Sequence, residues 1–152
     1  MILKMEHSFV LIKNNEIVGT IAISFEGEAT YNKIFEGDWK SNDNYAVIHR
    51  IAVDHELKGI GLSSEMIKQT ELMCNKKSVG SIKVDTHEDN QAMQRSLIKN
   101  GFDYCGVIYL ADGSKRVAFE KWLEDMGQKN ECFEIKNIKA IIKNAQQQDA
   151  PK

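Results

Sequence analysis

Residues 49–64 read His49-Arg50-Ile51-Ala52-Val53-Asp54-His55-Glu56-Leu57-Lys58-Gly59-Ile60-Gly61-Leu62-Ser63-Ser64, and two patterns meet in them. Upstream, Tyr45 to Val53 is nearly continuous in apolar character apart from His49 and Arg50, which predicts a strand buried on both faces. Downstream, Leu62, Met66, Ile67, Thr70, Leu72, Met73 and Cys74 supply apolar positions for a helix of about 15 residues. Glycine at the junction lets the backbone approach a ligand closely and take a positive φ. The first amides of a helix have no internal partner, and its dipole favours negative charge there. Such a junction suits a phosphate or pyrophosphate, and Lys58 adds a charge just ahead. Two glycines two apart also serve as a plain structural turn, so the pair alone does not decide. It is not a P-loop, which needs Gly-Lys-Ser/Thr, nor the dinucleotide fingerprint, which needs a third glycine.

Working outward, residues 8–13 predict a short strand, Asn14-Asn15-Glu16 a tight turn, and Ile17 to Phe25 the returning strand of a hairpin. Residues 26–44 are rich in Gly, Asp, Asn and Glu around Tyr31, Phe35 and Trp39. They read as a lid or acceptor wall, or equally as a surface loop pinned by aromatics. On the other side, Ser81 to Thr86 predicts a strand. Asp89 or Asn90 is placed to cap a second helix with Met93, Leu97 and Ile98 as its stripe, and Asn100-Gly101 ends it. Phe102 to Leu110 and Arg116 to Trp122 complete a second hairpin. Strands 45–53 and 81–86 flank a helix, so the expected fold is α/β, a mixed sheet with a parallel core, antiparallel ends and flanking helices.

The remaining composition narrows the class. A chain of 152 residues suits one domain and buries roughly 68–70% of its unfolded surface. Net charge of −2 points to no nucleic acid and no anionic membrane as partner. No run of apolar residues approaches a membrane span, and the N-terminus lacks the apolar core of a signal peptide. Cys74, Cys105 and Cys132 are widely spaced, with no paired metal-ligand spacing, and read as reduced thiols in a cytoplasm. No metal is expected.

His49-Arg50-Ile51-Ala52-Val53, then Gly59-Ile60-Gly61-Leu62-Ser63, then Asn90 and Gly101-Phe102 together resemble the GNAT superfamily of acetyl-CoA-dependent N-acetyltransferases. The family's Arg/Gln-x-x-Gly-x-Gly/Ala falls on Lys58 to Ser63, with Lys for Arg/Gln and Ser for Gly/Ala. The resemblance runs over residues 8–122. It implies a GNAT-like acyl-CoA N-acyltransferase fold over 1–123 and a cleft for coenzyme A. Ile51, Ala52 and Val53 would meet the pantetheine, Lys58, Gly59, Ile60, Gly61, Leu62, Ser63 and Ser64 the pyrophosphate, and Asn90 with Met93 the arm near the thioester. The implied activity is transfer of an acetyl group from acetyl-CoA to a small-molecule or peptide amine by direct attack. The alternative is a non-catalytic acyl-CoA-binding module, and a third reading is a phosphate-binding domain of another kind.

Two departures stand out. Leu97 occupies the place where many members put a proton-donating Tyr, which moves the search for an acid to Tyr104, Tyr109 and Cys105. A general base works best near neutral pKa, and His49 and His87 are the candidates for it. Arg50 is read either as a cofactor or substrate contact or as half of an ion pair. The family's usual front helices are missing before the first strand. Residues 124–131 read as a polar connector to an amphipathic helix at 134–146 (Ile135, Ile138, Ile141 and Ile142 on one face). Within 124–152 that helix is expected to take the place of the missing ones, on this domain or on the partner of a homodimer.

Overall fold

The computed structural model describes residues 6–57 and 61–123. Lys58, Gly59, Ile60, Cys132, the connector at 124–131 and the helix expected at 134–146 lie outside the described residues, as do the side chains of His7 and His55.

Strands β1 (Glu6–Lys13) and β2 (Glu16–Ser24) form the first hairpin. Its turn needs positive φ at both central residues. Asn14 and Asn15 take φ of 52° and 65°, which asparagine tolerates better than most side chains. β3 (Ala46–Val53) follows, then helix α1 (Leu62–Lys76), β4 (Ser81–His87), helix α2 (Gln91–Lys99) and the hairpin β5 (Asp103–Tyr109) and β6 (Lys115–Trp122). The six strands form one sheet in the order β1-β2-β3-β4-β6-β5, with β3 and β4 parallel and the other pairs antiparallel. The mixed α/β sheet expected from the sequence is therefore present.

Both helices cover one face. Ile21, Ile23, Ile48, Ile82, Val84 and Phe119 from the sheet pack with Leu62, Met66, Ile67 and Leu97 from the helices in the main core. β3 departs from the expectation of burial on both faces: only Ala46 to Ile48 is buried, and His49 to Val53 is exposed or half-buried. β4 parts from β3 after Ile48↔Val84, which opens this end of the strand.

Residues 26–45 cross the opposite face. Tyr31 is 3% exposed and packs with Val47, Ile108 and Ala118, with Trp39 and Tyr45 beside it. Trp39 Nε1 donates to the Tyr31 carbonyl at 2.8 Å, and Phe35 exchanges backbone bonds of 2.8 and 2.7 Å with Val107 at the outer edge of β5. Gly37 lies so close that an added Cβ would fall 2.0 Å from the Cys105 carbonyl oxygen. The loop is pinned, and its aromatics face the sheet.

Beneath it two buried groups of opposite charge, Lys83 and Glu120, face each other across β4 and β6, which alternation places but hydropathy does not suggest. Lys83, 2% exposed, donates to the Ser41 carbonyl at 2.9 Å, with Nζ 4.4 Å from the Trp39 ring centre and 4.0 Å from that of Tyr45. Across the strand pair lies Glu120, fully buried, whose Oε1 accepts the Lys40 N–H at 2.7 Å and whose Oε2 has no hydrogen-bond partner. Burial pushes the Lys83 ammonium below its ordinary pKa, while the Glu120 carboxylate pulls it up. Removing one of two buried opposite charges leaves the other without its countercharge in a poorly solvated place. Lys83→Met is expected to lower stability by about 3–5 kcal/mol and Lys83→Met/Glu120→Met to recover most of that loss, measured by urea denaturation.

Candidate active site

The cleft follows from a disagreement between two strands. β3 and β4 pair only at Ala46↔Ile82, Val47↔Lys83 and Ile48↔Val84, and then separate. On its other side β3 stays paired to β2 as far as Val53, with a bulge that leaves His49 as the extra residue between the Ile23↔Ile48 and Ala22↔Arg50 pairs. A bulge shifts the alternation of side chains. Ile48, Ile51 and Val53 therefore all reach the helix-side core, while Arg50 and Ala52 pair with Ala22 and Thr20 on the opposite face. Past Ile48 the β4-facing edge of β3 has no strand partner among the described residues.

A cleft of about 570 Å³ opens at this fork, lined by Ile51, Ala52, Val53 and Leu57, the α1 start from Gly61 to Ser64, and Asn90, Ala92, Met93, Arg95, Ser96 and Lys99. Gly61 precedes α1 with φ 82° and no side-chain cap, so the helix's first amides lack a protein side-chain acceptor there. Asn100 Nδ2 donates to Ser64 Oγ at 3.1 Å and to the Ser96 carbonyl at 2.7 Å, tying the end of α2 to the start of α1 and setting the width of the cleft. Of the two residues able to cap α2, Asn90 does so, its Oδ1 accepting the Met93 N–H at 3.1 Å. An unpaired strand edge, a left-handed glycine and a free helix start converge on one cleft, and the cations Arg95 and Lys99 stand at its α2 wall.

The Acetyltransferase (GNAT) family model matches residues 3–102. The chain belongs to the GNAT acetyltransferase family. A GNAT acetyltransferase from Streptococcus agalactiae is 32% identical with a TM-score of 0.67, over 76% of this chain and 64% of its own, so the present chain spans less than two thirds of that relative. A Bacillus anthracis structure in complex with acetyl coenzyme A aligns at 19% identity and TM-score 0.63 over 80% of this chain and 65% of its own. The Escherichia coli ribosomal-protein-S18-alanine N-acetyltransferase aligns at 14% and 0.58, over 83% and 74%. These last two share the fold. No curated protein matches the chain.

In this GNAT domain every described residue expected to hold the cofactor lies along the one cleft: Ile51, Ala52, Val53, Gly61, Leu62, Ser63, Ser64, Asn90 and Met93. Sequence reasoning missed Leu57, Ala92, Arg95, Ser96 and Lys99, although the helical spacing of 92, 95, 96 and 99 would have put them on one face. The candidate catalytic side chains are scattered. His49 is exposed at the bulge, immediately past the last β3–β4 pair. His87 is exposed at the end of β4, where its Nδ1 accepts the Asp89 N–H at 3.1 Å. That bond engages the Nδ1 lone pair, and Asp89 Oδ2 lies 3.6 Å from the same nitrogen. Tyr109, on edge strand β5, lies three strand positions from β3 and outside the cleft lining, its ring 5.4 Å edge-on to Phe35. Tyr104 packs edge-on against Phe119, and Leu97, 1% exposed, belongs to the core.

Across the sheet from the cleft, three further groups meet at the fork. The Tyr31 hydroxyl donates to Asp85 Oδ1 at 2.5 Å, and Arg116 Nε lies 3.2 Å from Asp85 Oδ2. Burial, then the Asp85 carboxylate, pushes Tyr31 well above its ordinary pKa, so it stays a phenol and a donor.

Among the described residues no group of His, Cys, Asp and Glu could hold a metal, and no helix is long and apolar enough to cross a membrane. A second hollow, of about 890 Å³, lies at the opposite end of the sheet between Glu26, Asp43, Tyr45 and Gly80 and shares no residue with the cleft. The two described thiols are buried and free. Burial pushes Cys74 up to about 12 and raises Cys105 too, which leaves little thiolate at neutral pH. In a Cys132→Ser variant, iodoacetamide at pH 8 is expected to label Cys74 and Cys105 only on unfolding. Rapid labelling of Cys105 in the folded protein would restore it as a nucleophile.

Proposed function

We propose that this GNAT chain is a cytoplasmic acetyl-CoA-dependent N-acetyltransferase, moving an acetyl group to a primary amine of a small molecule or peptide by direct attack in a ternary complex. The observation that carries the reading is the cleft. Its β3 edge offers backbone groups that an extended amide-bearing arm can pair with as an added strand. The α1 start offers unsatisfied amides to a pyrophosphate, and Arg95 and Lys99 supply charge beside it. The acetyl-CoA bound in the Bacillus anthracis structure and the amine in the name of the Escherichia coli enzyme support the reading by fold analogy.

When bound, acetyl-CoA supplies an activated acyl group on a leaving thiolate. The chain's own part is proximity, orientation and proton handling. An ammonium acceptor loses one proton before attack, and His49, at the bulge one residue past the last β3–β4 pair, is the candidate base to take it, directly or through water. The nitrogen then bonds to the acyl carbon as the C–S bond breaks, and the second nitrogen proton and the thiolate end as solvent proton and thiol. With Leu97 in the core, no side chain at that position could protonate a departing thiolate, and the proton would come from solvent.

Leu97 also favours the second reading, an acyl-CoA-binding module without turnover, because a buried alkyl group cannot replace a proton donor. Pairing of two copies belongs to the same proposal for the whole protein and is read by sedimentation.

Calorimetric titration separates these readings. Acetyl-CoA is expected to bind in the micromolar range and ADP at least about tenfold more weakly, since ADP lacks the arm that pairs with β3. Gly61→Val, which forces a β-branched residue into φ 82°, is expected to weaken acetyl-CoA binding by about tenfold or more. Equal binding of ADP would sink the acyltransferase reading, and tight acetyl-CoA binding without transfer to any amine would select the module.

A further inference from the structure

Asp85 is the first residue of β4 beyond the last pair with β3, so it stands on the fork itself. Its neighbours Ile82 and Val84 point into the helix-side core, and Lys83 lies under the loop on the other face. By strand alternation Asp85 shares that other face, where its bond to Tyr31 confirms it. A donor held along the β3 edge and the α1 start would reach toward the gap between β3 and β4. What enters from the opposite face to meet it passes Asp85 and, across the gap, His49.

Three features make Asp85 more than a surface carboxylate. Its side chain is only 18% exposed, so an interaction there is weakly screened. Tyr31, held by packing on Trp39 and Tyr45, fixes one oxygen from the loop, and Arg116 on β6 approaches the other. Arg116 Nε is buried and makes no aligned hydrogen bond, so the pair is an imperfect one and leaves lone pairs of Oδ2 uncommitted. Glu28, whose Oε1 accepts the Thr30 hydroxyl, adds negative charge within electrostatic range of Tyr31, against Arg50 on β3 and Arg116.

We propose that Asp85, oriented by Tyr31 and Arg116, binds the ammonium of the acceptor at the fork and so selects amines that are protonated in solution. The assignment rests on the acyltransferase reading and adds to it the acceptor-binding residue, which neither the glycine turn nor the strand edge supplies. Tyr31 is a positioning residue, acting through Asp85.

The test uses the full chain with acetyl-CoA and a panel of primary aliphatic amines and weakly basic arylamines, with acetyl-CoA affinity measured separately by calorimetry. Asp85→Asn, which still accepts from Tyr31, is expected to raise the KM for aliphatic acceptors by about tenfold or more while leaving acetyl-CoA affinity and the thermal midpoint in place. Tyr31→Phe is expected to raise the same KM by a smaller factor, and Asp85→Glu to restore part of it. If Asp85→Asn lowers the thermal midpoint, Asp85→Glu decides, since it keeps the charge: an aliphatic KM nearer the wild type than that of Asp85→Asn supports the assignment, and an equal one overturns it. An unchanged aliphatic KM in a folded Asp85→Asn, or a preference for neutral arylamines, overturns the assignment and leaves the acyltransferase standing. Acetyl-CoA binding with no transfer to any amine overturns both.

Discussion

The structure turns on the three-residue limit of the β3–β4 pairing. A backbone amide or carbonyl away from water costs free energy unless it is paired, and strands in the middle of a sheet ordinarily pair on both sides. Here β2 holds β3 along its length while β4 keeps company with β6 instead, pairing from Ser81↔Trp122 to His87↔Arg116. β3 is thereby left with an unused edge at Ile51 to Val53 in the middle of the sheet. That edge has no strand partner among the described residues, and the α1 start beside it has no side-chain cap. The cleft exists because two central strands stop pairing.

The bulge at His49 makes the fork workable. Without the extra residue, strict alternation would carry Ile51 and Val53 to the face away from the helices and bring Arg50 and Ala52 into the core. With it, the apolar residues stay inside, and His49 is left at the surface beside the gap. The separation of α1 and α2 is held by a polar contact rather than by packing alone, through Asn100 and Ser64.

The opposite face is organised by charge. Lys83, Glu120, Asp85 and Arg116 alternate down β4 and β6 beneath the loop, and that loop's aromatics and backbone satisfy most of what those charges require. Burying such groups is expensive unless they are hydrogen-bonded, which is why the loop takes one path across the sheet. Tyr31 links the two functions. It is a core residue of the smaller cluster and the partner that orients the carboxylate at the fork.

Much of this was legible in the chain. The Asn14-Asn15 turn, the glycine-led start of α1, the Asn90 cap and the Gly101 stop are local signals, each set by what one or two residues can do with their own backbone, and the elements fall within a residue or two of where they predict. The β3 and α1 lining of the cleft was legible for the same reason, coming from one short stretch of chain. What the chain could not announce is where β6 inserts. Register between strands far apart in sequence decides that Glu120 faces Lys83, that Arg116 reaches Asp85, and that Tyr109 ends on an outer edge away from the cleft. Alternation in 81–86 put Lys83 and Asp85 on one face, but only the loop packed across that face made them buried and partnered. Sequence determined the elements and the glycine-led start of α1, because those depend on neighbours in the chain. Tertiary structure decided the fork, the Tyr31–Asp85–Arg116 cluster beside it and the placement of each candidate catalytic residue, because those depend on which strands part and which side chains meet across the sheet.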